Sequence, residues 1–172
     1  MLANLLRALF AALCKRSRRL NKSAYGNEDF EELSFHDNFI HAMTFDPDES
    51  ELLLDIDHLA KWVLNEDQGH YSFIIAPSTL IFRNVYDVEI DVSVGSVCTF
   101  DIYGISRELL PRRSGATMDC YRFEIKLDHV GTIKFTSTSF NLYLRSIHEE
   151  TDAQMLSRKE RGGVSFEEIG FA

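Results

Sequence analysis

Apolar and polar positions alternate with a period of two along most of the second half of the chain. In Tyr86-Asp87-Val88-Glu89-Ile90-Asp91-Val92 the apolar side chains share one face and the acids the other, and Tyr121-Arg122-Phe123-Glu124-Ile125-Lys126-Leu127 repeats the pattern. Successive strand side chains point to opposite faces, so each segment predicts a strand with one buried and one wet face. Asp128-His129-Val130-Gly131 reads as a turn, and residues 132–138 return with Ile133 and Phe135 inward, which makes a hairpin. Phe140, Leu142 and Leu144 mark a further strand, and residues 97–105 a less regular one with Cys98, Phe100 and Ile102 on one side. Upstream, Asn38 to Phe45 reads as a strand ended by Asp46-Pro47-Asp48. Phe73-Ile74-Ile75 and Leu80-Ile81-Phe82 are short apolar runs parted at Pro77, which cannot donate to a ladder.

Residues 51–64 obey two periods at once. Leu54-Asp55-Ile56-Asp57 alternates, while Leu52, Ile56, Leu59 and Val63 keep a helical spacing. The expectation is a strand to Asp57 and a helical turn through Trp62. The tail from Glu149 predicts one short helix stopped by Gly162-Gly163. About eight strands joined by short turns predict a mainly β fold, an antiparallel sandwich or curved roll, in a single domain over residues 35–172.

The first residues follow a different rhythm. Leu2, Leu5, Leu6, Leu9, Phe10 and Leu13 make one apolar helical stripe, so residues 1–20 read as an amphipathic helix and polar residues 21–34 as a linker. Lys15-Arg16-Ser17-Arg18-Arg19 follows the stripe, whereas a secretory signal carries its charge before the apolar run. Three readings stay open for this helix. It can lie on an anionic membrane surface, at the inner face of the membrane; it can pack as an arm on the domain or on a second copy; or it can precede the native start. No apolar run reaches the ~20 residues that a membrane-spanning helix needs.

Charge divides the chain. Residues 1–27 hold six basic residues and no acid, and the rest carries all 27 acids against 12 basic residues, a net of −15. Such a body repels nucleic acid and attracts basic proteins. The three cysteines, Cys14, Cys98 and Cys120, are odd in number and lack a C-x-x-C pair, which points to a reducing compartment, the cytoplasm.

Two constellations carry candidate chemistry. Asp87, Glu89 and Asp91 form a row of like charge fit to capture a basic partner, unless Arg122 and Lys126 lie across from it. His36, Asp37 and His41, with Asp55, Asp57 and His58 on the next segment, are residue types that bind zinc or iron. His36 and His41 are five apart and would point to opposite strand faces, so a capping or turn role for Asp37 and exposed histidines is the plainer reading. Asp46-Pro47-Asp48-Glu49-Ser50 opens like a calcium loop but has Glu51 where glycine is required. Phosphate loops, nucleophile elbows and dinucleotide fingerprints do not occur, so no cofactor, metal or catalytic residue is expected. A curved sheet enclosing a small apolar ligand would also accommodate the 13 Phe residues.

The phrases Phe35-His36-Asp37-Asn38-Phe39-Ile40-His41, Asp55-Ile56-Asp57-His58 through Trp62, and Ala76-Pro77-Ser78-Thr79-Leu80-Ile81-Phe82 resemble a family of small uncharacterised bacterial β-rich proteins. The resemblance extends through Gly131-Thr132-Ile133 to Arg161-Gly162-Gly163-Val164-Ser165-Phe166. More distantly the chain is similar to immunity proteins, which neutralise toxins in competing bacteria. That resemblance implies a cytoplasmic, non-enzymatic protein that binds a toxin. The leading expectation is a protein-binding module using an acidic sheet face. The rivals are a peripheral membrane protein held by the N-terminal helix, and a metal-dependent enzyme built on His36, His41, Asp55 and Asp57.

Overall fold

The computed structural model describes residues 22–66, 69–96, 99–112, 114–115 and 117–171. The amphipathic helix expected over residues 1–20 lies outside them. The strands are β1 (Ala24–Tyr25), β2 (Asn38–Asp46), β3 (Glu51–Asn65), β4 (His70–Arg83), β5 (Tyr86–Val92), β6 (Asp101–Leu109), β7 (Tyr121–Leu127), β8 (Gly131–Ser137), β9 (Ser139–Leu144) and β10 (His148–Thr151). They form one antiparallel sheet in the order β1-β9-β4-β3-β2-β6-β7-β8-β5, with β10 added on β4.

This sheet curls until its two halves face each other. The ring of Phe82 on β4 lies 4.7 Å from Phe135 on β8 and 5.0 Å from Phe123 on β7, although β3, β2 and β6 intervene along the sheet. A kinked ribbon makes one corner. There β4 runs on into β5 and β8 into β9, with Arg83 opposite Ser139 and Tyr86 opposite Thr136. The Ser137 hydroxyl donates to the Arg83 carbonyl at 2.6 Å, holding the two kinks together. Phe82, Phe123, Phe135 and Phe140 are all buried in the resulting core, where offset and edge-on rings add to area burial.

Three segments differ from the expectation, each for a physical reason. β3 stays extended to Asn65, with no helical turn. It is buried on both faces from Leu54 to Leu59, and a bulge between Leu59 and Lys61 shifts its parity, which together imitate a helical spacing. β4 passes unbroken through Pro77. The Pro77 carbonyl accepts from the Arg145 N–H at 2.9 Å, so the ring nitrogen faces the same edge. On that edge the neighbour of β4 changes from β9, with Ser78 opposite Leu144, to β10, with Ile75 opposite His148; the missing N–H costs no ladder bond.

The third is the expected linker, 21–34, which joins the core. β1 pairs with β9, and a 3-10 helix, Asn27–Glu32, sets the Phe30 ring 5.3 Å from Phe140 and 5.9 Å from Phe123. Arg107 on β6 stacks its guanidinium over Phe30 at 4.3 Å and Tyr121 at 4.8 Å. One large aromatic among acids suffices to draw the segment in, since burying it yields about 2 kcal/mol or more.

Gly131 begins β8 at φ +139°, and a Cβ there would overlap the Asp91 carbonyl of β5. Gly131→Ala is expected to lift β5 from β8 and cost roughly 1–3 kcal/mol in urea unfolding. An unchanged midpoint would show that β5 adds nothing to stability.

Candidate functional site

β5 ends the sheet, so one of its backbone edges has no partner strand. Val88 and Ile90 are 40% and 50% exposed, so its alternation is real but its apolar face is uncovered. Glu89 and Asp91 share a side, opposite Lys134 and Thr132. Asp87 breaks the expected row: the strand bulges between Tyr86 and Glu89, and Asp87 takes a left-handed φ of +52°. Glu89 accepts from Arg122 at 2.8 Å, whereas Lys126 turns to Glu124. Asp87 and Asp91 form no ion pair among the described residues.

The other candidate carboxylates lie elsewhere. Asp55 and Asp57 point from β3 to the face away from the core and are fully buried by the C-terminal tail. Arg161, itself 1% exposed, grips Asp55 through Nη1 and Nη2 at 2.5 and 2.8 Å and Asp57 through Nε at 3.2 Å. Arg145 adds Nη2 to Asp55 at 2.5 Å and donates through Nη1 to the Ser165 carbonyl. The Ser165 and Leu156 N–H groups donate to Asp55 and Asp57, and His41 Nε2 lies 2.8 Å from Asp57. Burial alone would raise the Asp57 carboxyl, but its hydrogen bonds from His41 and Leu156 outweigh that and hold it below the usual carboxylate range. Beside the cluster, Leu156 packs on Leu59, Phe73 and Ile75. The tail is thus a strap, tied by ions at one place and by apolar contact next to it.

Arg161 is the residue that sequence reasoning missed. Its partners are 104 and 106 positions away, beyond any local period. The short helix expected here is a single turn. Ser157 and Glu160 cap one another, the Arg161 N–H donates to the Ser157 carbonyl, and Gly162 and Gly163 at φ +79° and +94° reverse the chain. The Ser157-Arg158-Lys159-Glu160 spacing of a capping box is the one local signal for that turn.

The six residues considered as metal ligands are divided among three places. His41, Asp55 and Asp57 meet, but arginine N–H groups already occupy both carboxylates. His36 is exposed and pairs with Asp37 at 2.9 Å, in a turn where Asp37 has φ +62°. His58 lies on the core side near Phe35; its Nδ1 accepts from Asn38 Nδ2 at 2.9 Å, and burial pushes its pKa down to about 4. Among the described residues no three His, Cys, Asp or Glu side chains are grouped to hold a metal ion. A groove of about 400 Å3 beside β1 is lined by Tyr25, Asn27, Glu28, Phe140, Asn141 and Tyr143, polar and apolar in similar measure. No helix among the described residues is long and apolar enough to cross a membrane.

Comparison with known proteins finds no matching family model, no matching curated protein and no matching solved structure. The functional reading therefore rests on the geometry of β5 and of the strap.

Proposed function

We propose that the protein is a non-enzymatic binding module that takes a basic protein partner on the edge of β5. The observation that carries this reading is the position of β5: a terminal strand with an open backbone edge, uncovered apolar side chains and two acids without a counter-ion. An extended segment can add to such an edge through main-chain hydrogen bonds, with side-chain pockets supplying specificity. The bulge at Asp87 confines that addition to residues 89–92. The acidic body speeds encounter with a basic partner and repels nucleic acid.

An immunity-type role, in which the module covers the phosphate-binding surface of a basic toxin, fits this chemistry and needs no catalytic group. The buried carboxylates support a non-enzymatic reading, because they are spent on fastening the strap. The free Cys120 supports placing the protein in the cytoplasm.

The test is capture from source cells at low salt with wild type and with Asp87→Lys combined with Asp91→Lys. A stoichiometric basic protein should be retained by wild type, lost at high salt, and associate about tenfold more slowly with the variant. Equal association rates for the two would refute the β5 reading.

A further inference from the structure

Two open strand edges border one gap in the curled sheet. β5 supplies the first. β2 supplies the second, because it meets β6 only as far as Ile40 and runs on to Asp46 with no neighbour on that side. The Val85 N–H donates to the Ser50 carbonyl at 2.8 Å, which sets the β2–β3 turn beside the start of β5. Core side chains are uncovered along this gap. Met43 and Phe45 lie opposite the fully buried Leu54 and Leu52 and share their core-facing side, yet they are 39% and 42% exposed. Ile90 lies opposite the buried Ile133, yet is itself half exposed. The gap is thus an apolar mouth, and Asp48, Glu49 and Asp91 on its rim form no ion pair among the described residues.

The ladder fixes how a further strand would sit there. The Ser93 N–H donates to the Val130 carbonyl at 2.8 Å. Bonded and non-bonded pairs alternate along an antiparallel ladder, so Asp91 and Glu89 turn their backbone groups to β8, while those of Ile90 and Val92 face the open edge. A strand added at that edge bonds to Ile90 and Val92. Residues directly opposite one another share a face. Those opposite Ile90 and Val92 therefore point into the mouth, toward Met43 and Phe45. Those opposite Glu89 and Asp91 stand beside two carboxylates, of which only Glu89 has a cation, Arg122.

We propose, building on the β5 reading above, that the partner segment reads basic, apolar, basic, apolar against residues 89–92 and plants its apolar side chains in the mouth. The register argues against a second copy of this chain. Two β5 edges paired with their apolar faces on one side would set acid against acid, which is destabilising. The acidic rim likewise repels nucleic acid and anionic lipid.

Two capped peptides of one composition test this on the full-length protein: the alternating Lys-Phe-Lys-Leu-Lys and the blocked Lys-Lys-Lys-Phe-Leu. The alternating peptide should bind about tenfold more tightly and shift the amide resonances of Ile90 and Val92 and the Met43 methyl. Phe45→Ala, with its melting curve as the check on folding, should weaken that peptide about fivefold and leave the blocked one unchanged. Met43→Ala serves in its place should that variant not fold. Equal affinity of the two peptides, with shifts still at residues 89–92, overturns the alternation but leaves a basic partner on β5 standing. Tight binding of the alternating peptide that neither variant weakens overturns the insertion into the mouth. If neither peptide shifts β5, this inference and the β5 reading fall together.

Discussion

Asp55→Ala is expected to cost about 3–5 kcal/mol in urea unfolding, because it strands buried arginines without their main counter-ion. Arg161 would keep only Asp57, and Arg145 would lose its ion pair altogether. Arg161→Ala should fall in the same range, since it leaves two fully buried carboxylates with only Arg145 and His41 as side-chain partners, beside the N–H groups of Ser165 and Leu156. The two substitutions together should cost clearly less than their sum, because each removes what the other leaves unpaired. A loss under about 1 kcal/mol for Asp55→Ala would mean that the strap lifts away without disturbing the sheet. Apolar side chains of similar volume could cover the sheet as stably, so we read the cluster as fixing where the tail lands rather than as adding net stability.

Acid should weaken the fold through His58. Its pKa in the folded protein is about 4, against an ordinary value of 6.5, because burial disfavours the imidazolium. Between those values the unfolded chain binds the proton and the folded chain does not. Stability is therefore complete above pH 6.5 and falls as the pH drops toward 4, by about 3 kcal/mol in all. Glu51 and Asp101, whose carboxyls are raised by burial, work against this slope near its lower end. His58→Asn keeps an acceptor for Asn38 and removes the titration. Unfolding curves from pH 7.5 to 4.5 should show a steep loss in wild type and a shallow one in the variant. Parallel slopes would show that His58 is not the group responsible.

Strands with one clean period were legible in the sequence. β2, β7, β8 and β9 lie where alternation put them, because each has one covered face. β3 was misread beyond Asp57 because its middle, to Leu59, is covered on both faces, one by the core and one by the strap, and the bulge that follows shifts its parity, so no period of two is displayed there. β4 was cut at Pro77 because local chemistry says nothing about a gap between two neighbouring strands. The acids of β5 were visible, and so was Arg122 as the cation that reaches Glu89, but not the bulge that displaces Asp87. Asp55 and Asp57 were noticed for their chemistry; the residue that claims them could not be, because it arrives from a distant part of the chain.

That distance also orders the protein's birth on the ribosome. The carboxylates of β3 are made early, and the guanidinium that neutralises them is made 106 residues after Asp55. A translating ribosome adds about 5–20 residues each second, so several seconds pass with β3 complete and its acids unmatched. During that interval the nascent sheet has a hydrated, repulsive face where the finished one is dry. The last step of folding therefore waits until Arg161 has left the exit tunnel, and a chain cut short before it would emerge with that face still wet.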